Sequence, residues 1–377
     1  MNQTNSKGLS PRLLAIDVLV STSGLRVVEI NDRPGGLDIA TTLPPVAQTS
    51  VSQVLAQRIS RQQQRAKFAF VLSERFRMST NGPGTQILLA NGDANAKESI
   101  SQMNSLAKAL QLQGITTSFY NANYFRDHHQ CLDYPNVYVR ANELLPDTGN
   151  ACALINSFET RALCMSKLLS YRVLSETALQ PFLIPTYVPR TQTLKSFLTS
   201  LSSLHAPLFV LKPDRGAKGR GVHLVTARRI QSSQHIQRFI EAGRYILQPF
   251  MEPKMLFSAQ GFGYAVEARL FFIFGEFAGV LFKRASAPFC KFATSTPMSW
   301  LTDGSCPISL GDVLKNDFLP LCAIQQVVEV CEPTLKDLSH YIDTHAERLR
   351  TRYLGYERQN AHLRARTDEA HCSIDEG

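Results

Sequence analysis

Apolar positions along the chain fall into two rhythms, one of period two and one near 3.6. Residues 12–20 (RLLAIDVLV) and 25–30 (LRVVEI) read as strands joined by the turn STSG, so a hairpin opens the chain. NDRPGG, directly after it, is loop by composition. Helical spacing over 46–60 gives way to RQQQRAK, a polar linker. A second block then begins: 67–72, 86–90, 115–119 and 136–140 read as strands and 97–113 as a helix, the alternation of a parallel α/β domain. A helix over 157–179 leads into PFLIPTYVP, and another is expected over 192–204. PLFVLKPDRGAKGRGVHLVT reads as strand, glycine-rich loop, strand. Three further strands follow in YILQPF, YAVEARLFFIF and FAGVLFKRA, the last two joined by Gly275-Glu276. Helices are expected over 310–330 and 334–352, split by Pro333. The last twenty or so residues are charged and poor in apolar groups, which predicts disorder, and no internal repeat is present.

A chain of 377 residues suits two or three domains, and 44% hydrophobic with 19% charged residues is ordinary for a globular protein. No apolar run approaches the ~20 residues of a membrane span, and the first residues lack the pattern of a secretory signal. These features argue against a membrane partner. The eight cysteines are scattered without a CxxC pair or zinc-finger spacing, the usage of free thiols in a reducing compartment, so a cytoplasmic location is expected. The net charge of +9 includes an arginine-rich stretch, 345–371, which holds six arginines against four acidic residues, and no RNP-type aromatic motif or zinc finger accompanies it. Nucleic acid is therefore not the expected partner. A site for polyanions such as ATP and carboxylates gives the same balance.

Three stretches carry candidate chemistry. In the first, Lys212 ends a strand and Gly216, Gly219 and Gly221 follow in a loop between two apolar strands. Glycines let a backbone approach a bound group and turn amide N–H groups toward phosphate oxygens, with Lys212 as a point charge; a solvated surface hairpin has the same composition. It is neither a Walker A loop nor a dinucleotide fingerprint, because it leads into a strand. In the second, Asp17 and Glu29 lie twelve residues apart across the four-residue turn, with Asn31 two beyond Glu29. Strand alternation can set all three on one face, as oxygen ligands for Mg²⁺; a solvated edge hairpin is the alternative. A carboxylate inside LLAIDVLV needs a partner, which favours the metal site. In the third, Glu267-Ala-Arg269 and Lys283-Arg284 fall on adjacent strands, where Arg269 and Arg284 could both face a transferring phosphoryl group. Cross-strand charge pairs on an exposed sheet would read the same.

Together these segments resemble the ATP-grasp superfamily, most of all its carboxylate–amine ligase branch, and the resemblance reaches most of the chain. Ile155–Lys167 (INSFETRALCMSK) is similar to the segment that ends in the first ATP-binding lysine, which implies that role for Lys167. FVLKPDRGAKGRGVHLV resembles the second lysine and the glycine-rich lid, implying ATP contacts from Lys212, Gly216, Gly219 and Gly221. YILQPFMEP resembles the hinge strand that meets adenine, with Gln248 and the backbone of Phe250 and Met251. VEARLFFIFGEFAGVLFKRA resembles the strand pair with the phosphate-contacting arginine, here Arg269, and AIDVLVSTSGLRVVEINDRPGG the last motif, whose Asp17, Glu29 and Asn31 would bind magnesium. Arg33 and Gly35 are then candidates for a substrate carboxylate.

The order departs from the family's, because the magnesium motif precedes everything else. Joining residue 345 or so to residue 12 restores it, which implies a circular permutation; the alternative is a segment swapped into a neighbouring protomer of a homodimer. The resemblance thus implies an α/β protein with a pre-ATP-grasp domain and a two-lobed ATP-grasp fold. In it, 1–62 is the permuted segment of the C-terminal lobe, 66–150 the pre-ATP-grasp domain, 151–250 the lid lobe, 251–352 the rest of the C-terminal lobe and 353–377 a disordered tail. The implied cofactors are ATP and Mg²⁺, and the implied reaction joins a small-molecule or peptide carboxylate to an amine through an acyl phosphate. Pro249 stands where a glutamate is usual, Glu267 where an aspartate is common, and SAPFCKFATSTP lacks the usual Arg/Asn-rich substrate loop. A nucleotide-binding regulatory protein without turnover, or an ATP-grasp enzyme of another reaction type, is the alternative function.

Overall fold

The computed structural model describes residues 13–43, 49–62, 67–73, 76–83, 87–88, 94–128, 136–140, 154–202, 208–216, 221–285, 288, 306–315 and 318–356. Mixed α/β architecture, as expected, is divided between two compact units, the first formed by Met1–Leu13, Ser52–Ala162 and Ser339–Gly377 and the second by Leu14–Val51 and Leu163–Leu338.

In the first unit, α1 (Val51–Gln62) leads to β3 (Lys67–Leu72), the centre of a parallel set with β7 (Thr116–Asn121) and β8 (Asn136–Arg140) on either side. The short β5 (Gly82–Pro83) adds antiparallel to β7. All of β3 after Lys67 is buried, the apolar run of a strand covered on both faces. Phe70 stacks on Phe119 at 4.7 Å, and α2 (Ala94–Leu112) and α3 (Ala122–His128) supply buried Leu106, Leu110 and Phe125. Of the segment expected as a strand over 86–90, the described residues are Ile87 and Leu88, which form β6 (Ile87–Leu88) and pair with β4 (Arg77–Met78) in a separate ribbon. A helical segment over 346–356 belongs to the same unit, where Tyr353 stacks on Phe158 and Arg350 Nε donates to the buried Glu159 at 2.8 Å.

In the second unit the opening hairpin, β1 (Leu13–Ser21) and β2 (Gly24–Asn31), enters a sheet of order β15-β14-β13-β1-β2, with β12 (Met255–Phe257) also paired to β13 (Gly263–Ile273). β14 (Glu276–Arg284) and β15 (Cys306–Ile308) complete it. The hairpin therefore joins strands of its own chain. β1 is central, and all nine of its residues are buried. A three-stranded sheet, β10-β9-β11, is built from β9 (Leu208–Pro213), β10 (His223–Thr226) and β11 (Tyr245–Pro249). Phe209, Leu211, Val225 and Leu247 form one core with Leu194, Phe197, Leu198 and Leu201 of α6 (Leu194–Ser202), Ile230 of α7 (Ala227–Ser232) and Ile240 of α8 (Gln234–Glu241). Alternation turns Val210 and Lys212 to the other face.

Two helices differ from expectation. The stretch 157–179 is divided into α4 (Phe158–Met165) and α5 (Lys167–Leu174) by Ser166, which is extended (φ −105, ψ 107) and caps α5 by accepting from Leu169 N–H. In the C-terminal region the break comes before Pro333: residues 318–320 are not helical between α9 (Leu310–Lys315) and α10 (Leu321–Thr344), and α10 runs through Pro333. An internal proline costs about 3 kcal/mol, but Ile324, Val327, Cys331, Leu335, Leu338 and Ile342 form a buried stripe on both sides of it, and packing keeps the helix continuous. The tail beyond 356, Gly219, and most of the stretch after Arg284 lie outside the described residues.

Candidate active site

The charged residues of the second unit meet where the hairpin lies beside β13. Asp17 is paired in register with Glu29, and Ala15 with Asn31, so Asp17, Glu29 and Asn31 share one face. Asp17 is buried. Arg269, on β13, donates Nε–H to its Oδ1 at 2.5 Å and Nη2–H to its Oδ2 at 2.7 Å, a two-pronged pair. Burial opposes the guanidinium charge, but the Asp17 carboxylate more than offsets this and raises the Arg269 pKa. Arg269 Nη1 also donates to the Gly35 carbonyl at 3.3 Å. Gly36 closes this turn at φ +88, where an added Cβ would lie 2.4 Å from Leu281 Cδ2.

Glu267 stands two residues before Arg269 on the same face, its carboxylate 3.9 Å from the guanidinium. Burial, then the Asp17 carboxylate, push its pKa up to about 8 against the pull of Arg269 and Lys283, with Glu29 adding to the rise. Its cross-strand partner is Lys283, whereas Arg284 pairs with Val266 and so faces the other side of the sheet, its guanidinium over the Tyr264 ring at 4.6 Å. Arg284 thus does not join Arg269, and Lys283 takes its place on the site face. The sequence reading missed this by one residue, a slip that reverses the face of a strand.

The two lysines come from separate elements. Lys167 is the first residue of α5; its Nζ donates to the Gly216 carbonyl at 2.7 Å and lies 3.6 Å from Glu29 Oε2. Lys212 is buried at the end of β9, and burial lowers its pKa to about 8, with Glu29 pulling it up and Lys167 pushing it down. Glu29 is therefore the group on which the lysine end and the Arg269 end of the site converge. Gly221 turns at φ +72, with an added Cβ 3.0 Å from Pro213 Cγ, so Gly221 itself lies against the end of β9.

The remaining candidates are spread out. Gln248 lies opposite Val210 on β9, and its Nε2 donates to Thr186 Oγ1 at 2.7 Å with both side chains buried. Phe250 N–H is taken by the Leu208 carbonyl at 2.9 Å, which leaves Met251 N–H as the donor this hinge could offer a base. Asn31 Oδ1 accepts from Arg33 N–H at 3.0 Å, and the Arg33 guanidinium lies 3.6 Å from Asp32. The sequence reading did not single out Asp214, Ser166 or Cys164. The Cys164 thiol is pushed well up by burial and by Asp32 and Glu29, so it stays protonated beside the site.

Among the described residues, no three His, Cys, Asp or Glu side chains form a ready metal cage. The set at hand is two carboxylates and an amide oxygen, hard donors that suit Mg²⁺ shared with phosphate oxygens and water. Each donor oxygen already engaged keeps a second lone pair, and the carboxylate repulsion that raises Glu267 is what a bound cation would relieve. The residues fit the ion. No helix among the described residues is long and apolar enough to cross a membrane.

No family model matches the sequence, and no curated protein matches it. Solved structures do. A provisionally assigned gamma-glutamylcysteine synthetase from Methylobacillus flagellatus KT is similar over 88% of this chain and 90% of its own, at TM-score 0.49 and 13% identity. D-alanine–D-alanine ligase from Bacillus anthracis is similar over 72% and 79%, at TM-score 0.39 and 14% identity. D-cycloserine synthetase DcsG is similar over 66% and 82%, at TM-score 0.36 and 16% identity. All three lie below a TM-score of 0.5, a range in which likeness does not extend to substrate or reaction.

Proposed function

We propose that the chain is an ATP-grasp ligase that uses Mg-ATP to activate a carboxylate and joins it to an amine, releasing ADP and phosphate. One observation carries this reading: Lys167, Lys212, Glu29, Asp17 and Arg269, from four separate stretches of sequence, converge on a single site. Phosphoryl transfer asks a protein for position and charge neutralisation more than for covalent help. Lys167 and Lys212 would hold the α- and β-phosphates, and Gly216 and Gly221 would bring backbone close to them. Asp17, Glu29 and Asn31 would hold Mg²⁺, whose chemistry there is to offset charge on the phosphate oxygens. Arg269, with Lys283 on the same face, would steady the γ-phosphoryl group and the incoming carboxylate.

A carboxylate oxygen would attack the γ-phosphorus and expel ADP; the amine nitrogen would then attack the acyl carbon, expel phosphate and lose a proton. The chain order is read as a circular permutation. In its support, the hairpin completes a sheet of its own chain, and Leu13 and residues 339–356 fall in one unit. The substrates are small carboxylates or peptides and amines. The test is Mg-dependent ADP release by purified protein across a panel of acids and amines, with Glu29→Gln alongside. ADP release that needs both an acid and an amine, and that Glu29→Gln lowers at least ~100-fold, is expected. Tight ATP binding without release under any pair would favour a regulatory nucleotide-binding protein, and absence of ATP binding would remove the reading.

A further inference from the structure

Lys167 and Lys212 sit on different elements, so something must fix their separation if they are to grip one polyphosphate. We infer that Asp214 is the positioning residue that does this, an inference that rests on the nucleotide reading above. Asp214 follows Lys212 by two residues and is buried. Its carboxylate accepts from Ser166 Oγ, 3.0 Å from each oxygen, and from Leu168 N–H at 2.8 Å. Its carbonyl accepts from Lys167 N–H at 3.1 Å, and its own N–H donates to the Arg244 carbonyl at 2.9 Å. One residue therefore binds the end of β9 to the first turn of α5 and to the turn that precedes β11. Two residues further on, the Gly216 carbonyl receives the Lys167 ammonium.

The charge of Asp214 has a second consequence. Among the described residues no lysine or arginine pairs with it, so its carboxylate is held by the Leu168 N–H and the Ser166 hydroxyl at the start of α5. Such a helix start otherwise attracts an anion. With that position filled by the protein's own carboxylate, a polyphosphate is directed to the Lys167 and Lys212 ammonium groups instead. A purely structural cap would not need to be anionic, nor to sit two residues from one phosphate ligand while bonded to the amide of the other.

The experiment compares wild type with Asp214→Ala and Asp214→Asn by calorimetric titration of Mg·AMP-PNP. Each protein is held well below its own thermal midpoint, and hydrogen exchange is followed at the amides of Lys167 and Leu168 without nucleotide. Loss of charge-assisted hydrogen bonds should raise the AMP-PNP Kd of Asp214→Ala by ~10- to 100-fold. Asp214→Asn keeps an acceptor for Leu168 N–H and should lose less, and both amides should exchange faster in the alanine variant. Binding by fully folded Asp214→Ala within twofold of wild type, or unchanged exchange at both amides, overturns this inference alone. Wild type that binds no AMP-PNP overturns the nucleotide reading and this inference together.

Discussion

Lys212 offers a test in which stability and ligand binding should move in opposite directions. Its ammonium is buried on β9, and its pKa falls from 10.5 to about 8 because burial outweighs the attraction of Glu29. At about 1.4 kcal/mol per pH unit, that fall amounts to ~3 kcal/mol against the charged form in the folded state. Below pH 8 the lysine is charged in both folded and unfolded chains, so the penalty is fully present and independent of pH. Between about 8 and 10.5 the unfolded chain still holds the proton and the folded chain does not, so stability rises with pH. Above 10.5 the penalty is gone.

Lys212→Met removes the charge and keeps the volume of the stem. At pH 7 the variant should be more stable than wild type, by up to ~3 kcal/mol, and should bind Mg·AMP-PNP at least ~10-fold more weakly. Urea unfolding of both proteins from pH 6.5 to 10 isolates the effect, since the other titrating groups are common to the pair. The stability gap should be flat to about pH 8 and then close as the pH rises toward 10.5. A variant less stable than wild type at pH 7, or a gap that does not change with pH, would refute the claim that this lysine is kept charged against its burial.

Two further outcomes follow from the site geometry. Gly36→Ala puts a Cβ at φ +88 and 2.4 Å from Leu281 Cδ2, and should cost ~1–3 kcal/mol in urea unfolding; adding Leu281→Ala should remove the crowding part of that loss and leave the backbone part, whereas a neutral Gly36→Ala would contradict the packing of this turn. Carboxyl-carbon NMR of Glu267 tests the face assignment of β14. Lys283→Met should raise the Glu267 pKa beyond about 8, because a facing positive charge is lost, while Arg284→Met should leave it in place; an equal shift from both variants would place Arg284 on the site face after all.

Much of the unit that carries the site was legible because its strands are apolar runs with few charged interruptions. Asp17 inside LLAIDVLV was readable as a carboxylate that needs a partner; the sequence pointed to a metal ion for that role, whereas in the structure both carboxylate oxygens are taken by Arg269. The turn alone sets the register from Ser21–Gly24 to Val18–Val27 and would put Asp17 opposite Val28; a β-bulge between Asp17 and Val18, which the sequence does not announce, brings Asp17 opposite Glu29. Lys283 was missed because β14 is largely buried, so its two basic end residues carry no alternation that tells one face from the other. The division at Ser166 was missed because apolar spacing continues across it, and only the partner of the cap, Asp214, forty-eight residues away, reveals why the chain bends there. Pro333 misled in the opposite sense: local propensity predicts a break, and a buried stripe on both sides of it overrides the propensity.

The opening hairpin gives the site a dependence that the remainder of the second unit does not have. Strands β13, β14 and β9 and helix α5 supply Arg269, Lys283, Lys212 and Lys167, whereas Asp17 and Glu29 come only from the hairpin. Without it, β13 would offer an unpaired edge, and among the described residues Arg269 would keep the more distant Glu267 as its anionic partner. Inserting β1 closes that edge, places a buried carboxylate on the guanidinium and brings Glu29 to the lysines in one event. That event joins residues 252 apart in sequence, a long loop to close. The positively charged half is thus built from segments nearer one another in the chain, and the acidic half that turns it into a candidate phosphoryl-transfer site arrives with the packing of β1.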